Sequence, residues 1–136
     1  MPVMQQLDRA ECMELLAGNR FGRLAVTGGA AAPSIRPVNY AFDEASQSLV
    51  FRTTEGSKLQ ALLNSSRAAF EIDEVDPATG TGWSVIVLGV TEVISNPTER
   101  RRLEKLGLES WAPGSKPHWV RIRAWTVSGR RIVQAK

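Results

Sequence analysis

Apolar and polar residues alternate clearly from Ile35 onward. In PSIRPVNYAFD, Val38, Tyr40 and Phe42 share one face and Ile35, Asn39 and Ala41 the other, which is the two-residue period of a strand. The polar stretch DEASQS then turns the chain into LVFRTT, so this region predicts a β-hairpin. GRLAVTGG predicts an earlier strand closed by a glycine turn, RAAFEIDEV a later one, and DPATGTG a loop. WSVIVLGVTEVI is nearly continuous in β-branched and apolar residues, the pattern of a strand covered on both faces. Gly89 in its middle predicts a bulge or sharp bend, as where a sheet curls into a barrel. HWVRIRAWTVSGRRIVQ closes the chain as a strand or hairpin. Its Arg121 and Arg123 alternate with Val120 and Ile122 and are expected to face water.

Three segments change period. LDRAECMELLAGN reads as a helix capped by Asp8, with Glu11 three residues later and Gly18 at its end. Leu7, Cys12, Leu15 and Leu16 form its apolar stripe, which places Cys12 in the core. SKLQALLNS and NPTERRRLEKLG read as two more, the latter with Asn96 as cap, Pro97 at its first position and Gly107 as terminator. The count is six to seven strands and three short helices set between antiparallel strands. A parallel βαβ array would need more helix. The expectation is a mainly β fold, a small partly open barrel, in a single domain spanning residues 1–136.

Composition narrows the chemistry. The 136 residues are 43% hydrophobic and 23% charged, ordinary for a globular protein. No apolar run approaches the roughly 18 residues of a membrane span. MPVMQQLDRAE lacks the basic-then-apolar order of a secretory leader, so a cytoplasmic location is expected. Cys12 is the single cysteine and His118 the single histidine. That argues against an intramolecular disulfide, a zinc site, a Ser-His-Asp hydrolase and a Cys-His nucleophile. Difficult chemistry would then belong to a cofactor. The net charge of +3 is only mildly basic, without the basic stripe and interleaved aromatics of a nucleic-acid binder. Arg100-Arg101-Arg102 reads as a solvated helix face, and Trp111, in the loop ESWAPGSK, as a candidate ligand contact.

The densest candidate chemistry is VFRTTEGSKLQALL. Arg52, Thr53 and Thr54 end a strand, Ser57 is a natural helix cap and Lys58 begins the helix. Two readings are open. Ser57 caps the helix while Arg52 and Lys58 stand in solvent, or these groups converge on an anion such as a phosphate at the helix N-terminus.

GRLA, PVNYAFD, FRTTEGSKL, GWSVIVLG and HWVRI, in that order and over nearly the whole chain, resemble the FMN-binding split-barrel superfamily. Within it the chain is similar to the pyridoxamine 5'-phosphate oxidase-like proteins, in a bacterial subgroup that includes nitroimidazole reductase-like proteins. FRTTEGSKL is the most specific piece, similar to the aromatic-Thr-x-x-x-Ser-basic segment that holds the FMN phosphate. The resemblance implies a split barrel and FMN as cofactor. Arg52, Ser57 and Lys58 match the phosphate positions, Thr53 and Thr54 those lining the phosphate and ribityl chain, and Val38 and Asn39 the strand facing the isoalloxazine ring. Trp83 and Ser84 match a strand that approaches the flavin from the partner subunit. The implied protein is a homodimer with the cofactor at the subunit interface, an oxidoreductase passing hydride or electrons to a small-molecule substrate, with no nucleic acid and no membrane as partner. The oxidases proper carry Ser-Arg-Lys where this chain has Ser57-Lys58-Leu59, so the resemblance carries fold and FMN further than a vitamin B6 substrate. A barrel holding a deazaflavin or haem, or a non-catalytic flavin-binding or sensing module, stays open as an alternative.

Overall fold

The computed structural model describes residues 1–27, 33–54, 67–111, 114 and 116–135. The predicted helix SKLQALLNS, with Ser57 and Lys58, lies outside them. Nine strands and two helices are described: β1 (Pro2–Leu7), α1 (Arg9–Ala17), β2 (Phe21–Val26), β3 (Ser34–Asn39), β4 (Ala41–Asp43), β5 (Ser48–Thr53), β6 (Arg67–Asp76), β7 (Thr81–Ile94), α2 (Pro97–Glu104), β8 (His118–Arg123) and β9 (Thr126–Gln134). All neighbouring strands are antiparallel, in the order β3-β2-β6-β7-β8-β5-β4, with β9 paired to both β7 and β1. The fold is mainly β, a strongly curled sheet of the split-barrel kind, as expected.

The curl has a visible cause in β7. Residues 82–88 pair with β9, whereas residues 91–94 pair with β8. The strand changes neighbour at Gly89, where an added Cβ would lie 2.3 Å from the Arg123 carbonyl oxygen. Only a residue without a side chain allows that approach, so the bend expected there is present. At the other seam, β3 and β4 stand at opposite ends of the strand order and are joined through Tyr40 alone. Tyr40 is buried. Its amide donates to the Arg20 carbonyl at 2.9 Å and its hydroxyl to the Leu16 carbonyl at 2.7 Å.

The concave side holds the main core, including Leu24, Phe51, Phe70, Ile72, Val85 and Ile122, all at most 1% exposed. α1 closes one end through Cys12 and Leu16 and carries the predicted capping box. Glu11 N–H donates to Asp8 Oδ1 at 2.8 Å, and Asp8 N–H to Glu11 Oε1 at 3.3 Å. A second cluster, formed by Ala41, Val50, Ile94, Leu103 and Trp119, seats α2. Asn96 caps α2, Pro97 opens it, and Gly107 follows its end with φ +72°.

Several expectations change. The described strands number nine rather than six or seven. β1 was not foreseen because PVMQQL does not alternate; every residue but Leu7 is exposed, and the strand exists by pairing with β9. PSIRPVNYAFD divides at Tyr40, and the last segment turns at Ala124 and Trp125 into two strands. Arg121 does not face water: its side chain is 5% exposed, with Nη2 2.5 Å from Glu99 Oε1. Arg102, expected on a solvated face, donates from Nη1 and Nη2 to the two carboxylate oxygens of buried Asp43 at 2.9 and 2.7 Å and also pairs with Glu99. α2 covers that side of the sheet, and two arginines balanced by Asp43 and Glu99 make the burial tolerable.

Candidate functional site

β3 ends where β5 ends, and the two ends share a small cleft of about 70 Å³, lined by Val38, Asn39, Arg52, Lys116 and the segment Leu108–Ser110. The alternation of β3 buries Val38 and leaves Asn39 half-buried. Asn39 Oδ1 accepts from the Trp111 backbone N–H at 2.9 Å. Its Nδ2 is buried and has no hydrogen-bond partner among the described residues. A buried donor left unmade is costly, so this amide points to an acceptor supplied from elsewhere.

Arg52 brings the cation. It stands exposed at the end of β5; Nε donates to the Lys116 carbonyl at 2.9 Å, and the guanidinium lies 5.1 Å from the centre of the Trp119 ring. Both contacts fix its plane. Thr53, next along the strand, is buried, and its hydroxyl donates to the Thr54 carbonyl at 3.2 Å. Thr54 is exposed just beyond the strand and returns to the side of Arg52. Val38, Asn39 and Arg52 are thus brought together on the cleft. Ser57 and Lys58 are among the residues not described.

Trp83 and Ser84 lie elsewhere. They sit on β7, which β2 and β6 separate from β3. Trp83 is half-buried against the core and lines a depression with Glu74 and Arg131; Ser84 lines another with Gln6 and Arg130. Neither touches the Asn39–Arg52 cleft within one chain.

Phe21, Leu108, Glu109, Ser110 and Lys116 were not foreseen at the site. Phe21 opens β2 opposite Asn39 and stacks on the Trp111 ring, with centroids 4.9 Å apart and planes 16° apart. The loop ESWAPGSK, rich in turn residues and carrying one Trp, was the legible signal. Which strand it covers was not. Glu109 is held by Arg20 at 3.4 Å. Among the described residues no cluster of His, Cys, Asp and Glu could hold a metal ion, and no helix is long and apolar enough to cross a membrane. A donor, a cation and an apolar wall around a narrow cleft suit the edge of a flat ring with carbonyl or ring-nitrogen acceptors, attached to an anionic group.

A family model described as pyridoxamine 5'-phosphate oxidase matches residues 8–131. An uncharacterised protein of Mycobacterium tuberculosis is 37% identical over 133 residues, covering 94% of this chain and 85% of that protein. Among solved structures, a conserved protein of unknown function from Corynebacterium diphtheriae is 33% identical, with a TM-score of 0.80 over 96% of this chain and 98% of that one. The FAD binding protein of Mycobacterium smegmatis is 30% identical, with a TM-score of 0.76 over 96% of this chain and 100% of its own.

Proposed function

Because the chain belongs to the pyridoxamine 5'-phosphate oxidase family, we propose that it binds a flavin, specifically FMN, and acts as an oxidoreductase on a small molecule. The observation that carries the reading is the cleft itself: Arg52 beside Asn39, whose Nδ2 is buried without a partner among the described residues. The similarity to a protein described as FAD binding supports a flavin; the choice of FMN rests on the phosphate-type pattern of Arg52, Ser57 and Lys58. In this reading Arg52, Ser57 and Lys58 hold the phosphate, Thr53 and Thr54 line the chain above it, and Val38 and Asn39 meet the ring. The bound flavin supplies hydride and electron transfer, which none of these side chains provides. The protein's part is to fix the ring, give it hydrogen bonds and keep water from it.

A cleft of about 70 Å³ cannot enclose a tricyclic ring, given that ligand pockets run to roughly 300 Å³ or more. The rest of the wall comes from a second copy in this proposal. Leu88, Ala69, Ala25 and Ile35 lie in one register row across β7, β6, β2 and β3, with Ile35 71% and Leu88 50% exposed. Ser84 shares that outer face with them. With its twofold axis running along the strands, a dimer packing these faces would bring one protomer's Ser84 end to the other's Asn39 end, an isologous contact.

The test is direct. The purified protein is titrated with FMN, FAD and riboflavin while flavin fluorescence and the visible spectrum are followed. FMN is expected to bind most tightly, and the absence of binding by any flavin overturns the reading. Anaerobic NADH and NADPH are then added to the loaded protein. Bleaching supports an oxidoreductase, and failure with both donors leaves a flavin-binding module instead. Light scattering during chromatography reads the assembly, and a particle of monomer mass at every concentration removes the dimer.

A further inference from the structure

A carboxamide offers a donor at one end and an acceptor at the other, and at Asn39 the acceptor end is already occupied. The Trp111 backbone N–H can only donate, so the oxygen of Asn39 faces it, at 2.9 Å. This contact settles which end of the amide is which. Trp111, a residue 64% exposed to solvent, is in turn held by its ring, which stacks on Phe21, the residue opposite Asn39 across the β2–β3 pair. One chain of contacts therefore runs from Phe21 through the Trp111 ring and backbone to the Asn39 oxygen. What remains is Nδ2, buried and without a partner among the described residues, on a residue that lines the cleft with Arg52.

We infer that Asn39 is a donor-only contact and that Trp111 is the positioning residue enforcing its polarity, so that the site selects the acceptor edge of its ligand's ring. This rests on the flavin reading above. Given it, Asn39 meets a ring carbonyl oxygen or an unprotonated ring nitrogen, and the ring's imide N–H must find its partner elsewhere. A donor at such an acceptor stabilises the ring more when reduction has added negative charge to it, and so raises the reduction potential. Trp111 acts on the same quantity only through Asn39. If its loss frees the amide to rotate, the oxygen faces the ring part of the time and the potential falls.

The experiment compares the parent with Asn39→Asp, Trp111→Ala and Trp111→Phe. FMN dissociation constants are measured by fluorescence titration, reduction potentials by dye-coupled reduction, and urea midpoints check folding. Asn39→Asp replaces the donor with a charged acceptor and should lower the potential and weaken FMN at least tenfold. Trp111→Ala keeps its backbone N–H but loses the stack. It should lower the potential in the same direction and weaken FMN roughly three- to tenfold, the range of a lost neutral hydrogen bond. Trp111→Phe retains the stack and should restore both values to near the parent's. Because Trp111 is largely solvent-exposed, its variants should fold even where Asn39→Asp does not. A parent that binds FMN while Trp111→Ala leaves its potential unchanged overturns this inference alone. A parent that binds no flavin removes the reading beneath it as well.

Discussion

Asp43 governs how α2 sits on the sheet. Its side chain is 2% exposed and faces Arg102 at 2.7 Å and Arg121 at 3.8 Å. The hydrogen bonds from Arg102, followed by that from Ser46 and the nearby positive charges, outweigh burial and hold its carboxyl down at about 2. Glu99, bonded to Arg102 and Arg121, is also lowered to about 2. Folded values below the unfolded ones mean stability that is present above about pH 4.5 and lost as pH falls toward 2. Urea midpoints should therefore drop between those values, and Asp43→Asn should flatten the drop. The same variant should cost about 3 kcal/mol at neutral pH, since it removes the charge that balances a buried arginine. Glu71 works in the opposite sense. Burial first, then the hydrogen bond and charge of Asp73, raise it to about 7 against the opposing Arg23. Its contribution is complete below about pH 4.5 and disappears as pH rises through 7. Glu71→Gln should remove the decline in urea midpoint between pH 5 and 8.5, on the order of 1 kcal/mol; a decline as steep as the parent's would contradict the assignment. On the proposed flavin reading, Lys58→Ala and Arg52→Ala should each weaken FMN by about 1.5–3 kcal/mol, as for a hydrogen bond to a charged group. Fluorescence titration measures this, and parent-like affinity in both would remove the phosphate assignment.

Among the elements, β7 separates what sequence can and cannot reveal. Its continuous apolar run and Gly89 marked a strand with a bend, because both signals are local, but the cover on both faces expected from that run is absent, since Ile86 and Leu88 stand 42% and 50% exposed on the outer face. Its exchange of β9 for β8 at that bend was not legible, since it depends on pairing with residues far along the chain. The same limit applies to the site. Val38, Asn39 and Arg52 could be named from short motifs, whereas Phe21 stands opposite Asn39 only through the β2–β3 pairing, and Lys116, just before β8, reaches the cleft only because β8 pairs with β5. Arg121 was misread because alternation identifies the face of a strand but not whether a helix covers it. β1 was missed because an exposed edge strand has no need of an apolar face. Gly89→Ala tests the bend. With its Cβ against the Arg123 carbonyl oxygen, it should lower the urea stability by about 1–3 kcal/mol, the cost of overpacking. A parent-like midpoint would show that β7 and β8 can separate there at little cost.

At the scale of the molecule, Cys12 reports on opening. It is 0% exposed, and burial is the first cause that raises its thiol above the ordinary value, with Asp8 and Glu11 adding to it. Labelling by a disulfide reagent should be negligible in the native protein at pH 8 and should appear with global unfolding in urea. Rapid labelling without denaturant would mean that α1 lifts from the sheet on its own. The β1–β9 pair has a further consequence, for the order of assembly during synthesis. Val3 pairs with Val133 and Pro2 with Gln134, so β1 leaves the ribosome with β9, its partner among the described strands, still untranslated. Ile94 and Trp119, which meet across β7 and β8, are likewise made late. Most long-range pairings must wait for the second half of the chain, and such non-local sheets fold slowly. The unpaired first strand and half-built barrel expose apolar edges in that interval, when a nascent chain is most exposed to aggregation.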